Sequence, residues 1–455
     1  MELRDKKVLV VGLGKTGEAT ADFLLRRGAH VTISEKKTEA ELGPRVSEWT
    51  ARGAAVETGG HRPAAFHEAE LIVPSPGVPP LPEFREAQDG GVPVLSEIEL
   101  AFRFLKGTII GITGTNGKST TATLLYKILK EAGRKTYLAG NIGTPLLSFV
   151  DRSRDDHLYV TEISSFQLEY IDAFRVSLAV VLNISQNHLD WHTTFDGYFA
   201  AKKKLVTAQR RSDRAVLNRD DALLWRLKDD ARSDVLGFSR KRPLARGCLL
   251  RGGWIVVRDG EEKRILPVKD IHLPGLHNQE NVMAAVLAAR LSGVEPARIR
   301  DSVRTFEGLE HRLESAGAVG GVRFINDSKA TTVDATLKAL ASFEAPIVLI
   351  LGGKDKGSDF TRLRRLVKAR VKKVVLVGTA KEKIRKALDG VVPLEEASSF
   401  SEVVPRAYAA AARGDVVLLA PACTSWDMFK NFEERGRIFK RGVRTLAKRA
   451  EGKRG

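Results

Sequence analysis

The 455-residue sequence has few sulfur-containing residues, with two cysteines and three methionines. Cys248 and Cys423 stand far apart, and no C-x-x-C or Cys/His cluster occurs, which argues against disulfides and zinc and fits a reducing compartment. The sequence also lacks a run of 18 apolar residues, and the apolar run Val8–Val11 is too short for a signal peptide. These absences predict a cytoplasmic protein with no membrane partner.

Positive charge is abundant but dispersed. The chain has 74 Lys and Arg against 56 Asp and Glu, a formal net charge of +18, which favours anionic ligands and is also compatible with nucleic acid. The densest basic stretch, Arg435–Arg454, has its charges at helical spacing beside apolar residues, as a solvated helix face does. Because no nucleic-acid-binding module accompanies it, we expect small anionic substrates and no nucleic-acid partner.

Strand-like apolar runs alternate with helical patterns along most of the chain, which predicts an α/β protein with largely parallel, helix-covered sheets. Interruptions of this alternation at Gly90–Ser96 and Phe306–Glu314 predict three domains, 1–95, 96–307 and 308–455. We expect the first and third to be Rossmann-like and the second to be a P-loop-type ATPase domain. Between Ala215 and Asp270 the pattern changes to short alternating segments, which predict a small antiparallel insert in the middle domain.

A glycine-rich loop at residues 111–120 joins an apolar strand to a helical pattern. Backbone N–H groups of such a loop and the helix N-terminus attract phosphates, Lys118 can reach terminal phosphates, and Ser119 or Thr120 can ligate Mg²⁺. Ile112 stands where the strict P-loop pattern has its first glycine. A turn without a ligand would need neither the lysine nor the adjacent hydroxyls, so we predict a nucleoside triphosphate site.

The segment Gly12–Gly17 follows the first predicted strand and opens a helix, and Glu35 ends the second strand, as in a dinucleotide-binding fingerprint. Taken alone, this pattern suggests a dehydrogenase. The phosphate loop begins about 100 residues later, before a full NAD-binding domain could finish, so a half-fold that binds one nucleotide diphosphate fits better. Ser75–Gly77 lies at a strand's carboxyl end, where it either contacts that ligand or only ends the strand.

Polar clusters follow predicted strands at Gly140–Gly143, Glu162–Gln167 and Asn183–Asp190. The carboxyl ends of parallel strands meet at one edge of a sheet, so Glu162 and His188 can reach a metal that bridges the β- and γ-phosphates. A single histidine after a strand is more often a loop or capping residue than a metal ligand. The structural interpretation of His188 is less favoured here only because three polar clusters share the edge.

Together with later motifs, these residues resemble the Mur ligase family of ATP-dependent amide-forming enzymes in peptidoglycan synthesis. The resemblance covers nearly the whole chain and is strongest to the members that add D-glutamate to UDP-N-acetylmuramoyl-L-alanine (UDP-MurNAc-L-Ala). The later motifs are His277-Asn278 with Asn281, His311-Arg312, Asn326–Thr331 and Pro421–Asp427.

The resemblance implies roles for individual residues. ATP would contact Gly114, Thr115, Asn116, Gly117, Lys118, Ser119, Thr120, Asn281, Arg312 and Asp327. The UDP-linked substrate would contact Lys15, Thr16, Glu35, Lys36, Gly77, Asn141, Ser164 and Gln167. D-Glutamate would contact Thr331, Lys356, Ser425 and Phe432. Mg²⁺ would be held by Ser119, Thr120, Glu162, His188 and Lys202, and the catalytic residues would be Lys118, His188, Lys202 and Lys329.

The resemblance also implies that Lys202 is carbamylated. An ammonium would repel Mg²⁺, whereas a carbamate supplies two anionic oxygens. Lys203 and Lys204 follow directly but point elsewhere, at ~100° per helical residue. A solvated lysine triplet is the alternative, and only the resemblance selects Lys202.

The sequence departs from the family pattern at four positions. Asn187 stands where an acid normally precedes the histidine, Glu35 replaces an aspartate, Thr332 replaces an asparagine and Trp426 is bulkier than the common residue. None of these changes removes a group that the chemistry requires.

The implied reaction is amide synthesis through an acyl phosphate and a tetrahedral intermediate, carried out by a monomer. One alternative is another amide ligase of the family with a different amino acid, although Ser425 and Lys356 favour an acidic one. An oxidoreductase would leave residues 111–120 unexplained. A P-loop nucleic-acid motor would need helicase-type motifs, and none is visible.

Overall fold

The computed structural model describes residues 1–187, 189–344 and 346–451, so His188 lies outside the described residues. In this part of the chain the strands form three sheets, which confirms the predicted α/β class. The chain divides into two compact units. The first contains residues 1–270 and 280–304 with two of the sheets, and the second contains residues 271–279 and the segment from Thr305 onward with the third sheet. The boundaries 1–95, 96–307 and 308–455 stay a prediction.

The first sheet is built from four parallel strands. They are β1 (Lys7–Val11), β2 (His30–Ser34), β3 (Ala55–Glu57) and β4 (Leu71–Pro74). Their order is β3-β2-β1-β4, which places β1 and β4 side by side. Since helices cover both faces, β1 is an almost continuous apolar run. The loops after β1 and β4 therefore leave the sheet at the same edge.

The central sheet contains nine described strands. They are β5 (Thr108–Thr113), β6 (Thr136–Gly140), β7 (Leu158–Glu162), β8 (Leu178–Val181), β9 (Arg214–Asn218), β10 (Asp234–Ser239), β11 (Gly247–Arg251), β12 (Trp254–Asp259) and β13 (Glu261–Pro267). The order is β13-β12-β11-β10-β9-β8-β5-β7-β6. In this sheet order, every neighbouring pair between β6 and β11, including those of β5, is parallel. Among the described strands only the β11–β12 and β12–β13 pairs are antiparallel.

The antiparallel insert predicted for Ala215–Asp270 is therefore wrong over its first half. β9 pairs in parallel with β8, and β10 pairs in parallel with β9, so both extend the main sheet. Short segments separated by polar turns look alike in sequence whether their pairing is parallel or antiparallel, because the pattern records burial and not direction. The antiparallel part is limited to the hairpins of β11, β12 and β13.

The third sheet is also mainly parallel. Its strands are β14 (Glu314–Val319), β15 (Val322–Asn326), β16 (Ile347–Gly352), β17 (Val371–Val377), β18 (Leu394–Glu396) and β19 (Val416–Leu419). They are ordered β14-β15-β19-β16-β17-β18, and only the edge strand β14 runs antiparallel to its neighbour. The carboxyl ends of β15, β16 and β19 thus lie at one edge.

Helices pack on the faces of all three sheets. The first helices along the chain are α1 (Lys15–Arg26), α2 (Glu39–Leu42), α3 (Arg45–Ala51), α4 (Pro63–His67), α5 (Pro82–Asp89) and α6 (Glu97–Phe102). Next come α7 (Lys118–Glu131), α8 (Ser165–Glu169), α9 (Leu189–His192), α10 (Phe195–Thr207), α11 (Ala222–Trp225), α12 (Leu227–Asp230), α13 (Leu276–Leu291) and α14 (Pro296–Arg304). The last are α15 (Val333–Ala341), α16 (Arg364–Arg370), α17 (Lys381–Leu388), α18 (Phe400–Ala409) and α19 (Phe432–Glu451). Short 3-10 helices span Leu146–Arg152, Val268–Asp270 and Phe360–Leu363.

Across the described ranges, no helix combines the length and apolar character needed to cross a bilayer.

Candidate functional site

The phosphate loop connects β5 to α7, as the sequence predicts. Gly114 and Gly117 have φ angles of +151° and +83°, a region that L-residues with side chains rarely adopt. A Cβ on Gly117 would come within 2.1 Å of Asn281 Oδ1. The absence of a side chain at this position therefore lets Asn281, from α13, approach the loop, which brings two predicted ATP-binding residues together.

The side chain of Lys118 folds back over its own loop. Its Nζ donates to the backbone oxygens of Gly114 at 3.0 Å and Thr115 at 3.1 Å. Asn183, after β8, braces the loop from the other side, since its Oδ1 accepts from Asn116 N at 2.8 Å and its Nδ2 donates to Asn116 O at 3.0 Å. The loop is thus held in shape by side-chain contacts from the neighbouring strand.

Glu162 ends β7 beside the phosphate loop, and its backbone pairs in register with Ile112 of β5. Its Oε1 accepts a hydrogen bond of 2.8 Å from Asn141 Nδ2. The other oxygen, Oε2, is buried and has no hydrogen-bond partner among the described residues. A buried carboxylate oxygen without a partner is costly, so this atom is a site at which a cation would be stabilised.

Lys202 lies on α10 and is only 2% exposed. Its Nζ donates to Thr113 Oγ1 at 3.1 Å, at the end of β5, and lies 5.0 Å from the centre of the Tyr198 ring. Burial lowers the pKa of this amine well below its ordinary value, the charge of Lys118 lowers the pKa further, and Glu162 raises it. Burial therefore shifts Lys202 toward the neutral amine.

The two following lysines point elsewhere, as the helical spacing predicts. Lys203 forms an ion pair with Asp230 at 3.0 Å, and Lys204 Nζ donates to the backbone oxygen of Glu169 at 2.8 Å. Only Lys202 of the triplet faces the end of β5.

The residues present fit a divalent cation in part. Glu162 supplies an unpartnered oxygen, and Ser119, in the first turn of α7, is buried beside the loop. His188 is outside the described residues. Within the described ranges, no group of three or more His, Cys, Asp or Glu side chains is placed to hold a metal. A site here would depend on hydroxyls, phosphate oxygens and a modified Lys202 in addition to Glu162.

A pocket of about 820 Å³ lies within the first unit. It is lined by residues after β1, β2 and β4 and by the loop after β6. Six of the residues predicted to bind the UDP-linked substrate contribute to it, namely Lys15, Thr16, Glu35, Lys36, Gly77 and Asn141. The structure therefore brings together residues that are up to 126 positions apart in the sequence, from Lys15 to Asn141.

Hydrogen bonds order this pocket. Glu35 Oε2 accepts from Leu13 N at 2.6 Å and Oε1 accepts from Lys37 N at 3.1 Å. Lys15 Nζ donates to Gly143 O, which links the glycine loop of the first domain to the loop after β6. A Cβ on Gly17 would lie 1.9 Å from Gly12 O, so the tight turn requires glycine.

Ser164 and Gln167 do not line that pocket. They form a capping box at the start of α8, where Ser164 Oγ accepts from Gln167 N at 3.3 Å and Gln167 Oε1 accepts from Ser164 N at 3.0 Å. Both side chains are buried and have this local structural role. Their predicted contact with substrate stays a prediction.

In the second unit, Asp327 follows β15 and its carboxylate is buried. Burial raises the pKa of Asp327 to about 7, although the Leu313 N–H and the Arg312 charge both lower it. Leu313 N donates to Asp327 Oδ1 at 3.3 Å. Lys329 extends from the same loop, and its Nζ lies 4.1 Å from the centre of the Phe432 ring. A residue predicted to be catalytic is thus next to one predicted to bind D-glutamate.

The loops after β16 and β19 carry Lys356 and Ser425, which are predicted to bind D-glutamate, whereas Thr331 lies in the loop after β15. Lys356 is exposed, and its Nζ lies 4.3 Å from the centre of the exposed Trp426 ring. The adjacent Ser425 is buried. The Asp427 carboxylate accepts from Thr379 N at 2.9 Å through Oδ2, while its buried Oδ1 has no hydrogen-bond partner in the described part of the chain. These loops present cationic and polar groups at one edge of the third sheet.

Arg435 is a structural residue that the sequence analysis missed. It is fully buried on α19, and it donates to Ser328 Oγ at 2.9 Å, Ser328 O at 2.8 Å and Cys423 O at 3.1 Å. Burial lowers its pKa to about 10. It therefore ties together the loops that carry Lys329 and Ser425. Its burial could not be predicted from the sequence, because Arg435 begins a basic stretch that has the pattern of a solvated helix face.

Three family models match the chain. The Mur ligase MurD-like N-terminal domain matches residues 6–96, the Mur ligase middle domain matches 112–289, and the Mur ligase glutamate ligase domain matches 311–423. Together they span most of the described chain.

Curated relatives and solved structures agree with these matches. The UDP-N-acetylmuramoylalanine–D-glutamate ligase of Acidobacterium capsulatum is 50% identical over 97% of this chain and 96% of its own length. The enzyme of that name from Koribacter versatilis is 48% identical over 98% and 99%.

Two solved structures share the fold at low identity. UDP-N-acetylmuramate-alanine ligase MurC of Thermotoga maritima has a TM-score of 0.60 at 18% identity, covering 97% of this chain and 100% of that one. MurF ligase from the same organism, in complex with ADP, has a TM-score of 0.58 at 16% identity, covering 98% and 97%. On the family models and the full-length relatives, this chain belongs to the Mur ligase family and is an enzyme of the ligase class.

Proposed function

We propose that this enzyme uses ATP to join D-glutamate to UDP-MurNAc-L-Ala. The proposal depends on two buried groups beside the start of the phosphate loop. Glu162 has an oxygen with no hydrogen-bond partner among the described residues, and the amine of Lys202 has a pKa that burial lowers. The names of the full-length relatives support the choice of substrates.

The phosphate loop would hold the ATP phosphates through its backbone N–H groups and Lys118, with Asn281 alongside. Ser119, Thr120, Glu162 and His188 would hold Mg²⁺ together with Lys202. When bound, Mg²⁺ neutralises charge on the phosphate oxygens and polarises the terminal phosphoryl group.

Lys202 is suited to carbamylation because a neutral amine is the form that attacks carbon dioxide. The amine nitrogen forms a bond to the carbon of CO₂, one C=O π bond becomes a carbamate C–O⁻, and a proton leaves the nitrogen. The product would carry an anion where the amine now meets Thr113, and its two oxygens could serve as ligands of a divalent cation. Burial and the charge of Lys118 both favour the neutral starting amine.

The 820 Å³ pocket is suited to the UDP part of the substrate. Lys15 and Lys36 would neutralise the diphosphate, and the N-terminus of α1 adds partial positive charge. Asn141 lines the same pocket and bonds Glu162, so it connects the substrate site to the phosphate-loop site. The muramoyl-alanine carboxylate would extend from the pocket toward Glu162.

In the reaction, an oxygen of the L-alanine carboxylate attacks the γ-phosphorus of ATP, and the bond to the bridging β–γ oxygen breaks, which releases ADP. The D-glutamate amine then attacks the acyl carbon. A tetrahedral species forms, the amine loses a proton, and the C–O bond to phosphate breaks to leave the amide. Lys118, Lys329 and Arg312 would stabilise the charge on the transferring phosphoryl oxygens.

In the third domain, Lys356 would pair with a D-glutamate carboxylate, and Ser425 and Thr331 would donate hydrogen bonds. Phe432 would pack beside the substrate and hold Lys329 by the cation–π contact. An acidic amino acid fits this set better than a diamino acid, because Lys356 would repel an additional ammonium. We further propose that the enzyme acts as a monomer in the cytoplasm.

The direct test is a coupled assay of ADP release with ATP, Mg²⁺ and UDP-MurNAc-L-Ala, with one amino acid added at a time. We expect turnover with D-glutamate and poor turnover with L-glutamate, lysine and meso-diaminopimelate. Each component is omitted in turn as a control. Robust turnover with lysine or diaminopimelate but not with D-glutamate would overturn the choice of amino acid.

A further inference from the structure

Three arginines line a second cavity in the central domain. The cavity has a volume of about 620 Å³ and is lined by Arg210, Arg211, Ala231 and Arg232. All three guanidinium-bearing residues are exposed, and the described part of the chain supplies no hydrogen bond or ion pair to their side chains. They come from the loop between α10 and β9 and from the loop between α12 and β10.

The nearby carboxylates are bound to other cations. Asp213 accepts from Arg175 at 3.0 Å and also from the backbone N–H of Arg210 at 2.7 Å. The complete set of pairs is Asp213 with Arg175, Asp230 with Lys203 and Asp234 with Arg246. Since each acid has its own partner, the positive charge of the three arginines is not neutralised within their own surroundings.

The two loops are fixed relative to each other by buried hydrogen bonds. Gln209, directly before Arg210, and Ser233, directly after Arg232, are both buried, and Ser233 Oγ donates to Gln209 Oε1 at 2.9 Å. Gln209 Nε2 also donates to Val176 O at 3.0 Å and Arg214 O at 2.8 Å. The cluster is thus attached to an ordered frame, which lowers the entropy cost of binding a ligand.

This cluster is at the opposite edge of the central sheet from the phosphate loop. Arg214 begins β9 and Asp234 begins β10, whereas Thr113 and Glu162 end β5 and β7. These strands are parallel, and a five-residue strand such as β9 is roughly 16 Å long at about 3.3 Å per residue. An anion bound here therefore would not contact the phosphate loop.

We propose that Arg210, Arg211 and Arg232 form a second anion site, for a small ligand with two or more phosphate groups. Guanidinium groups bind phosphate oxygens in a bidentate way, and several of them in a cavity of this size suit a diphosphate better than a single monovalent anion. The ligand's diphosphate is the recognised group, whether it is free or carried by a nucleotide.

Inorganic pyrophosphate is the probe, titrated calorimetrically into the full chain. A variant with Lys15→Ala, Lys36→Ala and Lys118→Ala weakens both the 820 Å³ pocket and the phosphate loop, and it leaves the second site as the main binder. In that background, Arg210→Gln, Arg211→Gln and Arg232→Gln together should weaken pyrophosphate binding about tenfold or more. In the otherwise wild-type chain, the same three substitutions should leave basal ADP release unchanged, because the cluster is remote from the phosphate loop.

The matched control changes three scattered exposed arginines, Arg85→Gln, Arg154→Gln and Arg298→Gln, which removes the same net charge without touching the cavity. Equal loss in the control, or unchanged binding in the cluster variant, would overturn the proposal. UDP as a second probe, titrated into the same background with the 820 Å³ pocket and the phosphate loop weakened, tests a nucleotide-borne diphosphate. A single-stranded oligonucleotide that binds through the three arginines more tightly than pyrophosphate would overturn the small-ligand proposal in favour of nucleic acid.

Discussion

Asn141 holds Glu162 by two hydrogen bonds, from its side-chain Nδ2 to Glu162 Oε1 at 2.8 Å and from its backbone N–H to Glu162 O at 2.9 Å. The first bond occupies one carboxylate oxygen, and the buried Oε2 has no hydrogen-bond partner within the ranges that the structure describes. Asn141 is therefore a positioning residue for the proposed metal ligand, and it also lines the 820 Å³ pocket.

Asn141→Ala should lower activity by about 10- to 100-fold, the usual cost of removing a residue that orients a metal ligand. Because Glu162 would lose its orientation, the Mg²⁺ concentration for half-maximal rate should rise. Steady-state rates over a Mg²⁺ series measure both effects. Asn141→Asp should be worse than Asn141→Ala, since it places a second carboxylate next to Glu162. An unchanged Mg²⁺ dependence in both variants would contradict the positioning role.

Lys356→Gln should raise the KM for D-glutamate by about 10- to 100-fold, since a hydrogen bond to a charged group contributes about 1.5–3 kcal/mol. The KM for ATP should change little, because Lys356 lies in the D-glutamate loop and not in the phosphate loop. Lys368→Gln, at an exposed position on α16, is the control for the lost charge. A parallel rise in both KM values would indicate general damage to the domain.

Much of the fold can be predicted from hydrophobic patterning. The apolar runs of β1 and β4 are clear in the sequence because these strands are almost wholly buried, and the strands end beside Gly12 and at Pro74. The edge strands β3 and β18 gave no signal, since each has three residues, none of them fully buried. The direction of a strand could not be predicted from the sequence either, since β9 and β10 pair in parallel where an antiparallel insert was expected.

The parts of the candidate site that belong to a local sequence motif could be predicted. The parts that depend on contacts between distant residues could not. The glycine loop and Glu162 are local patterns that a parallel sheet brings to one edge. The unpartnered oxygen of Glu162 and the burial of Arg435 arise from residues far apart in sequence, so no local pattern reports them. Ser164 and Gln167 show the converse, because their motif also encodes a helix cap.

Lys202→Ala should reduce turnover by orders of magnitude, because one well-placed electrostatic group in catalysis contributes about 10²–10³-fold. Lys203→Ala and Lys204→Ala are matched controls, since their side chains bond Asp230 and Glu169 O away from the phosphate loop. These two should stay within a few-fold of wild type. Short carboxylic acids should restore part of the Lys202→Ala activity by filling the vacated space. Near-normal turnover of Lys202→Ala, or equal losses at all three lysines, would contradict the carbamate proposal.

The last prediction concerns Glu97, which begins α6 and is 1% exposed. Its Oε1 accepts from Leu147 N at 2.7 Å, yet burial raises the pKa of Glu97 to about 7. Between pH 4.5 and 7 the folded chain keeps a proton that the unfolded chain has released, so this group makes the folded state less stable as the pH rises. Below that window both states are protonated and the contribution vanishes.

Glu97→Gln resembles the protonated side chain in shape and keeps the acceptor for Leu147 N, so it should remove this pH dependence. The difference in unfolding free energy, variant minus wild type, should increase by about 3 kcal/mol from pH 4.5 to pH 8, from 1.36 kcal/mol per pKa unit. Urea denaturation at a series of pH values measures it, with the exposed Glu86→Gln as the control. A difference that stays flat, or that falls with rising pH, would show that Glu97 is ionised in the folded enzyme.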